Sequence, residues 1–396
     1  MKSLTGEKLN QAVGLTQASG ADVWLTFVRE TSACGDPVLN LILNGGLTWL
    51  SALIVAKTGE KIAVVGNYDA EPLETSGDWD EIVPYVQGIR EPLIQVLERL
   101  VSPDGTIAVN YSTSDVQSDG LSHGLYLLLE EYFRGTRFED KLVSAENITM
   151  ALRGIKSPTE VARITQAILE TDQIFEEIGQ FAKNGKTERA IFEFTQECVK
   201  KRGLGYSWDA SADPIVNSGP KSMIGHGYAS SSIVLEPGHV FHVDLGVTKE
   251  DYSSDIQRCW YVSGGEEIPE DVLAVLEAVN GAITAAAEVL LPGALGHEVD
   301  AAARKHLTSC GYEEYLHALG HQVGRVAHDG GAVLGPCWER YGKTPYIPVK
   351  AGEIYTLELG VIMPNRGYLG LEEMVRVTPE GVEWLTSRQW NLPVIQ

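Results

Sequence analysis

Carboxylates and imidazoles gather in three short stretches of the chain: HVDLGVTKEDYSSDI (242–256), HALGHQVGRVAHDGG (317–331) and YTLELGVIMPNRGYLGLEEMVRVT (355–378). Asp is a poor strand residue, yet Asp244 sits inside the strand-like run VFHVDLGV. Asp255 opens a second such run, DIQRCWYV, eleven positions later. With Thr248–Asp251 as a tight turn, the two aspartates stand directly opposed on one sheet face, Cβ atoms about 5 Å apart. Farther on, Pro364-Asn-Arg-Gly367 is a turn-forming tetrapeptide. A hairpin centred on Asn365 sets Glu358 opposite Glu372. Opposed like charges destabilise a strand pair, and buried, unpaired carboxylates cost several kcal/mol each. A divalent cation turns that repulsion into attraction, and four carboxylates supply ligands for two ions. Nitrogen ligands stand close by. Three of the nine histidines, His317, His321 and His328, fall within twelve residues just ahead of the second acidic hairpin. His226, in MIGHGYA, precedes the first hairpin as His328 precedes the second.

The elements that must hold these groups read as two domains. EPGHVFHVDLG (236–246) aligns without gaps on KAGEIYTLELG (350–360), with Asp244 and Glu358 in the same slot. This echo predicts an α+β domain with a pseudo-twofold internal repeat, in which His226 and His328 are mates across a site. The domain's start is marked by SPTE (157–160). Ser at the N-cap, Pro at the first helical position and Glu at the third make a capping box. A helix is predicted from there through VARITQAILETDQIFEEIGQFA, stopped by Asn184-Gly-Lys186, and a second over ERAIFEFTQECVKKRG, ending at Gly203. Earlier in the chain, ADVWLTFV, SALIVA, KIAVVG and GTIAVNY read as buried strands. EPLIQVLERLV and SHGLYLLLEEYF read as amphipathic helices. Such alternation predicts an α/β domain. We place the boundary near residues 150–156, giving domains 1–153 and 154–396.

Bulk properties narrow the classes of partner. A chain of 396 residues exceeds one typical core. Its formal charge of -23 repels phosphate backbones, so nucleic acid is not an expected partner. The N-terminus, MKSLTGEKLNQAVG, has no apolar core, and no secretory signal is expected. Residues 38–56 are uncharged and nearly long enough to span a membrane. The Asn44-Gly-Gly46 in their middle and the alternation of TWLSALIVAKTG predict helix, turn and strand instead. No membrane partner is expected. Five cysteines (Cys34, Cys198, Cys259, Cys310 and Cys337) form no CxxC pair, which predicts buried thiols in a reducing, cytoplasmic setting, not a disulfide frame or a zinc ribbon.

In order along the chain stand Asp-x-Gly at 244–246 with a second Asp eleven residues on, Gly-His-x-x-Gly at 320–324 with His328 seven residues after His321, Glu358 in a Thr-x-Glu-x-Gly strand, and Glu372 ahead of MVRVT. This set resembles the pita-bread metallopeptidases: Xaa-Pro aminopeptidase, Xaa-Pro dipeptidase (prolidase) and methionine aminopeptidase. WLTFVRETSACGDP (24–37) is similar to the creatinase-type N-terminal domain of the Xaa-Pro and creatinase branches. The resemblance covers nearly the whole chain. It implies a pita-bread catalytic domain behind a creatinase-type α/β domain, and two divalent metal ions. Asp244 would chelate one ion, Asp255 and Glu372 would bridge both, and His321 and Glu358 would complete the second. Manganese suits such oxygen-rich ligation, with cobalt, zinc or iron as alternatives; no other cofactor is expected. The resemblance also implies that His226 and His328 contact the scissile amide and stabilise its oxyanion, that Glu358 shuttles a proton, and that the chain is a homodimer. Glu373 would support the site from behind Glu372.

Two positions depart from the family pattern. Gly370 stands where the Xaa-Pro branch usually has Arg, and Asp329-Gly-Gly follows His328 where Glu and a nearby Pro are common. The expected function is metal-dependent hydrolysis of the N-terminal Xaa-Pro peptide bond, by an aminopeptidase or dipeptidase. The alternative is a hydrolase of a small non-peptide amide, ectoine-hydrolase-like, on the same scaffold, since metals and fold fix a substrate poorly. Gly120-Leu-Ser-His-Gly124 also matches G-x-S-x-G, but a nucleophile elbow needs a strand directly before it, and polar VQSD precedes. A binding protein without catalysis would have no need of five intact ligands.

Overall fold

The computed structural model describes residues 3–225 and 227–396, and the chain divides into two units, Met1–Arg153 and Gly154–Gln396. In the first unit, strand β1 (Val23–Val28) is buried along its whole length. Alternate side chains leave it toward opposite faces: Val23, Leu25 and Phe27 join one apolar cluster, Trp24 and Val28 the other. The sheet is therefore covered on both sides. It adds β2 (Ser51–Ala56), β3 (Lys61–Gly66), β4 (Glu81–Tyr85), β5 (Ile107–Val109) and β6 (Leu142–Ser144), in the order β4-β3-β2-β1-β5-β6. The four strands legible in the sequence are the inner four. The two that were not, β4 and β6, are the edges. Edge strands are half-buried and lack a continuous apolar run, and β4 carries Pro84, which only an edge tolerates.

Helices α1 (Leu4–Ser19), α2 (Leu39–Ile42), α3 (Ala70–Ser76), α4 (Arg90–Leu100), α5 (His123–Phe133) and α6 (Glu146–Gly154) complete this unit. Leu93, Val96 and Leu97 of α4 pack with Leu125, Leu129 and Phe133 of α5 on one face of the sheet. Leu9 and Ala12 of α1 lie on the other. The uncharged stretch 38–56 becomes α2, a turn and the buried strand β2. Ser122 caps α5, its Oγ accepting from Leu125 N at 3.4 Å, and residues 119–121 before it form no strand.

The second unit opens at the capping box. Ser157 Oγ accepts from Glu160 N at 3.3 Å, and Glu160 accepts from Ser157 N at 2.7 Å. Helix α7 (Pro158–Phe181) follows, then α8 (Glu188–Lys201), whose exit turns at Gly203 with φ 66°. Strands β7 (Gly205–Tyr206), β8 (Ile215–Ser218), β9 (Val240–Leu245), β10 (Val247–Lys249), β11 (Tyr252–Ser253) and β12 (Ile256–Val262) form the first acidic ribbon and its neighbours. Two more helices, α9 (Glu270–Val289) and α10 (Gly296–Ser309), precede the second ribbon, β13 (Ile354–Met363) with β14 (Gly367–Thr378). Strands β15 (Gly381–Trp384) and β16 (Val394–Ile395) join two of the unit's sheets, ordered β16-β12-β9-β8 and β13-β14-β15, beside a smaller one ordered β11-β10-β7. Each half of the unit thus supplies two helices and one acidic hairpin. Strand β14 lies against β9 and β12, and Val240 N donates to Arg366 O at 2.8 Å where the halves meet. Helix α9 is apolar along its length because Val275, Val279, Ile283 and Ala286 pack with Leu357, Leu359 and Leu371 in one core.

Candidate metal centre

The two hairpins differ in how their turns set the acids. In the second, Glu358 pairs directly with Glu372, and Met363 with Gly367, across the three-residue loop 364–366, and Gly367 opens the return strand at φ 107°. This is the register expected from Pro364–Gly367. The first hairpin corrects its expectation. Asp244 pairs with Gln257, not with Asp255, and Lys249 pairs with Tyr252. The turn is a two-residue one at Glu250 and Asp251, both with positive φ (48° and 64°). Paired positive φ values give the turn twist that hairpin strands prefer, and it moves the turn one residue beyond Thr248–Asp251. Asp255 becomes the diagonal neighbour of Asp244, just before β12 begins. Diagonal neighbours stand about 7–8 Å apart, farther than the directly opposed pair expected.

Four acids and one imidazole converge nonetheless. Ligand atoms of Asp255, His321 and Glu372 lie within 4.8 Å of one another. His321 Nε2 is 3.7 Å from Asp255 Oδ2 and 3.5 Å from Glu358 Oε1. His321 N donates to Thr356 Oγ1 at 3.2 Å and Thr356 N donates to His321 O at 2.9 Å, which fixes the backbone, while the ring's Nδ1 lies 3.3 Å from Gln322 O. Asp244 enters through its charge. After burial, it is the largest influence raising the Asp255 carboxyl. Burial, then repulsion from Glu358 and Asp213, pushes Asp244 itself well above the ordinary carboxylate range. Burial, then repulsion from Asp255, Glu358 and Asp244, does the same to Glu372. For Glu358 burial also acts upward, but the hydrogen bond and charge of His321, with His317 and His328 beyond, hold it below its usual value.

Among the described residues, Asp244 Oδ1 and both carboxylate oxygens of Glu372 are buried with no partner in hydrogen-bonding geometry, although the Gln257 amide lies near Glu372. Buried polar atoms are almost always satisfied, so three orphaned acceptors facing mutually repelling carboxylates fit the coordination of divalent cations. The residues able to hold them are Asp244, Asp255, His321, Glu358 and Glu372.

The remaining candidate residues are placed unequally around this cluster. His328 stands edge-on to His321, ring centroids 4.2 Å apart. Its neighbour Asp329 is 2.9 Å from Lys156 Nζ, both side chains buried, and Asp329 N donates to Gln322 O. His317 turns aside, Nδ1 2.7 Å from Ala318 O. His226 lies outside the described residues. Glu373 points away from Glu372, as successive strand residues must. It meets Arg258 at 3.1 Å and accepts from Thr386 Oγ1 at 2.5 Å and Gln389 N at 3.0 Å. Arg258 also donates to Glu372 O at 2.9 Å, tying the two hairpins together.

Three site residues were not singled out from the sequence: His242, Gln257 and Tyr368. The signal available was spacing by two, since each lies an even number of residues from an acid on its own strand or ribbon. Tyr368 explains why Gly370 is not Arg. A Cβ at Gly370 would meet the Tyr368 ring at 2.3 Å, and one at Gly360 would meet it at 2.4 Å. The ring lies over the Gly360–Gly370 pair, the next pair on the same face of the hairpin as Glu358 and Glu372. Gly370→Ala is expected to cost about 1–3 kcal/mol through this overlap, read as a lower urea midpoint at unchanged slope.

Residues 162–379 match metallopeptidase family M24, more than half of the chain. The chain is 28% identical over 275 residues to a Xaa-Pro dipeptidase of Pyrococcus furiosus, covering 69% of this chain and 74% of that one. It is 27% identical over 321 residues to a Xaa-Pro dipeptidase of Lactobacillus delbrueckii subsp. lactis, covering 80% and 81%. Among solved structures, the X-Pro aminopeptidase of Thermotoga maritima superposes with a TM-score of 0.69 at 24% identity, over 98% of this chain and 99% of that one. The Xaa-Pro dipeptidase of Bacillus anthracis does so with a TM-score of 0.72 at 23% identity, over 99% and 100%. The fold is therefore the pita-bread fold, in its two-domain form. The chain belongs to metallopeptidase family M24, as an enzyme similar to the Xaa-Pro dipeptidases.

Proposed function

We propose that this enzyme hydrolyses the bond between an N-terminal residue and a following proline, as a dinuclear metal-dependent Xaa-Pro dipeptidase or aminopeptidase. What carries this reading is the convergence of Asp255, His321 and Glu372 with orphaned carboxylate oxygens, in a chain akin to Xaa-Pro dipeptidases. When divalent ions are held there, the chemistry they supply is polarisation of a carbonyl and acidification of water. The protein's own groups do the rest. Glu358, held ionised beside His321, takes a proton from the attacking water and hands it to the leaving amine. His328, edge-on to His321, donates to the oxygen on which charge develops. His226 shares that role. Manganese is the proposed metal, and a cytoplasmic homodimer the proposed form; metal analysis and light scattering check the metal and the oligomeric state.

Metal-stripped and manganese-loaded protein should be assayed on Xaa-Pro dipeptides and on longer Xaa-Pro peptides. Turnover is expected only in the loaded form. A second reading, hydrolysis of a small non-peptide amide, is favoured by one observation: the Tyr368 ring fills the strand face beside the acids, leaving less room there. Loaded protein that ignores every Xaa-Pro peptide but turns over a small amide would establish the second reading over the first. Ser122→Ala is expected to cost about 1 kcal/mol, the worth of an N-cap, and to leave turnover unchanged. Complete loss of turnover in a folded Ser122→Ala protein would return the serine mechanism.

A further inference from the structure

Behind Glu358 lies a pair of polar side chains that the proposed reaction does not use. His242, on β9 two residues before Asp244, is 3% exposed, and Gln257 on β12 is 6% exposed. Gln257 Nε2 donates to Glu358 Oε2 at 3.0 Å. Its carbonyl Oε1 is then the acceptor facing His242 Nε2, also at 3.0 Å, so this ring nitrogen carries the proton. The imidazole is held in turn by packing. Tyr368 stands edge-on to it, centroids 5.0 Å apart at 83°, while its unprotonated Nδ1 faces Asn217 Oδ1 at 3.2 Å without a hydrogen bond. With the proton on His242 Nε2, the Gln257 carbonyl is held on the imidazole side and its amide N–H is left facing Glu358 Oε2, with Glu372 also near that amide. The other Glu358 oxygen, Oε1, is left toward His321 at 3.5 Å.

An apolar pair of the same volume would fill this space without needing matched partners. The donor–acceptor order is what such a pair could not supply. We propose that Gln257, oriented by His242, is a positioning residue that turns Glu358 so that only Oε1 is offered to a bound cation. This rests on the reading that the acidic cluster holds divalent ions. Groups that orient a metal's ligands from behind set its affinity and geometry, and their loss typically costs 10–100-fold.

Cobalt(II) alone, added to the metal-stripped full chain, is the probe. It reports affinity by titration and ligand geometry by visible absorption. Gln257→Leu removes the donor. His242→Phe keeps the ring and its contact with Tyr368 but removes the proton that orders the amide. His242→Gln returns an N–H near the original nitrogen. Gln257→Leu is expected to weaken cobalt binding about 10–100-fold and to shift the absorption bands, with His242→Phe moving both the same way. His242→Gln should restore affinity to within roughly threefold of the wild type, well inside that window. If Gln257→Leu does not fold, the His242 pair decides alone. Wild-type affinity and bands in folded Gln257→Leu or His242→Phe would overturn the proposal and leave the metal centre standing. A wild-type protein that binds no cobalt would overturn the metal centre itself, and the proposal with it.

Discussion

Glu372→Gln should empty the site of metal and abolish hydrolysis while making the metal-free protein more stable. Glu372 is 1% exposed, faces Glu358 directly across the hairpin, and has two oxygens with no donor in hydrogen-bonding geometry among the described residues. Glutamine keeps its shape and removes its charge. Bound cations contribute several kcal/mol to a hydrolytic transition state, so turnover is expected to fall roughly 1,000-fold or more. Metal content, measured on protein reloaded with manganese, should fall with it. The metal-free protein responds in the other direction. One of four mutually repelling carboxylates is gone, and the new amide can donate to its neighbours. Each kcal/mol recovered raises the melting temperature by about 2–4 °C in a domain of this size. A residue that merely packs the core would lose stability and activity together. Wild-type metal content in the variant would remove Glu372 from the ligand set.

Stripping the metal should make stability fall as pH rises, and reloading should reverse the trend. Folded Asp244, Asp255 and Glu372 have carboxyls raised well above their ordinary values of 3.8, 3.8 and 4.5, by burial first and mutual repulsion second. Between those ordinary values and the raised ones, the folded protein holds more protons than the unfolded chain. Their stabilisation is thus fully present below the unfolded values and is lost as pH climbs through the folded ones. Glu358 is shifted down and acts oppositely, losing stability as pH falls; three groups outweigh one. Cations bind the deprotonated ligands, so metal affinity grows with pH. The gap between loaded and stripped protein should widen from pH 5 to pH 8. With free metal at 1,000 times its dissociation constant the gap approaches about 4 kcal/mol, or roughly 8–16 °C. Calorimetry of both forms across that range checks it. Parallel curves would mean that these carboxylates do not titrate against a metal.

Local sequence determined a good part of this protein. The Ser157–Glu160 capping box, the inner strands β3, β2, β1 and β5, and the Glu358–Glu372 register were legible because each depends on a few adjacent residues: a cap, an apolar run, a turn centred on Asn365. The acids themselves stood out because carboxylates inside strand-like runs conflict with local propensity. Edge strands β4 and β6 escaped because half-buried backbone leaves no continuous apolar run. The first hairpin's register escaped because the turn that fits the ribbon's twist sits at Glu250–Asp251.

Only the tertiary structure decided the rest. Arg258 reaching the carbonyl of Glu372, His321 meeting Glu358, and Gln257 bonding Glu358 join residues 114, 37 and 101 positions apart. Spacing along a strand says which residues share a face, but not which other face will be packed against it. That choice belongs to the burial of the whole apolar core between α9 and β13–β14, and it turned scattered acids, an amide and two imidazoles into one site.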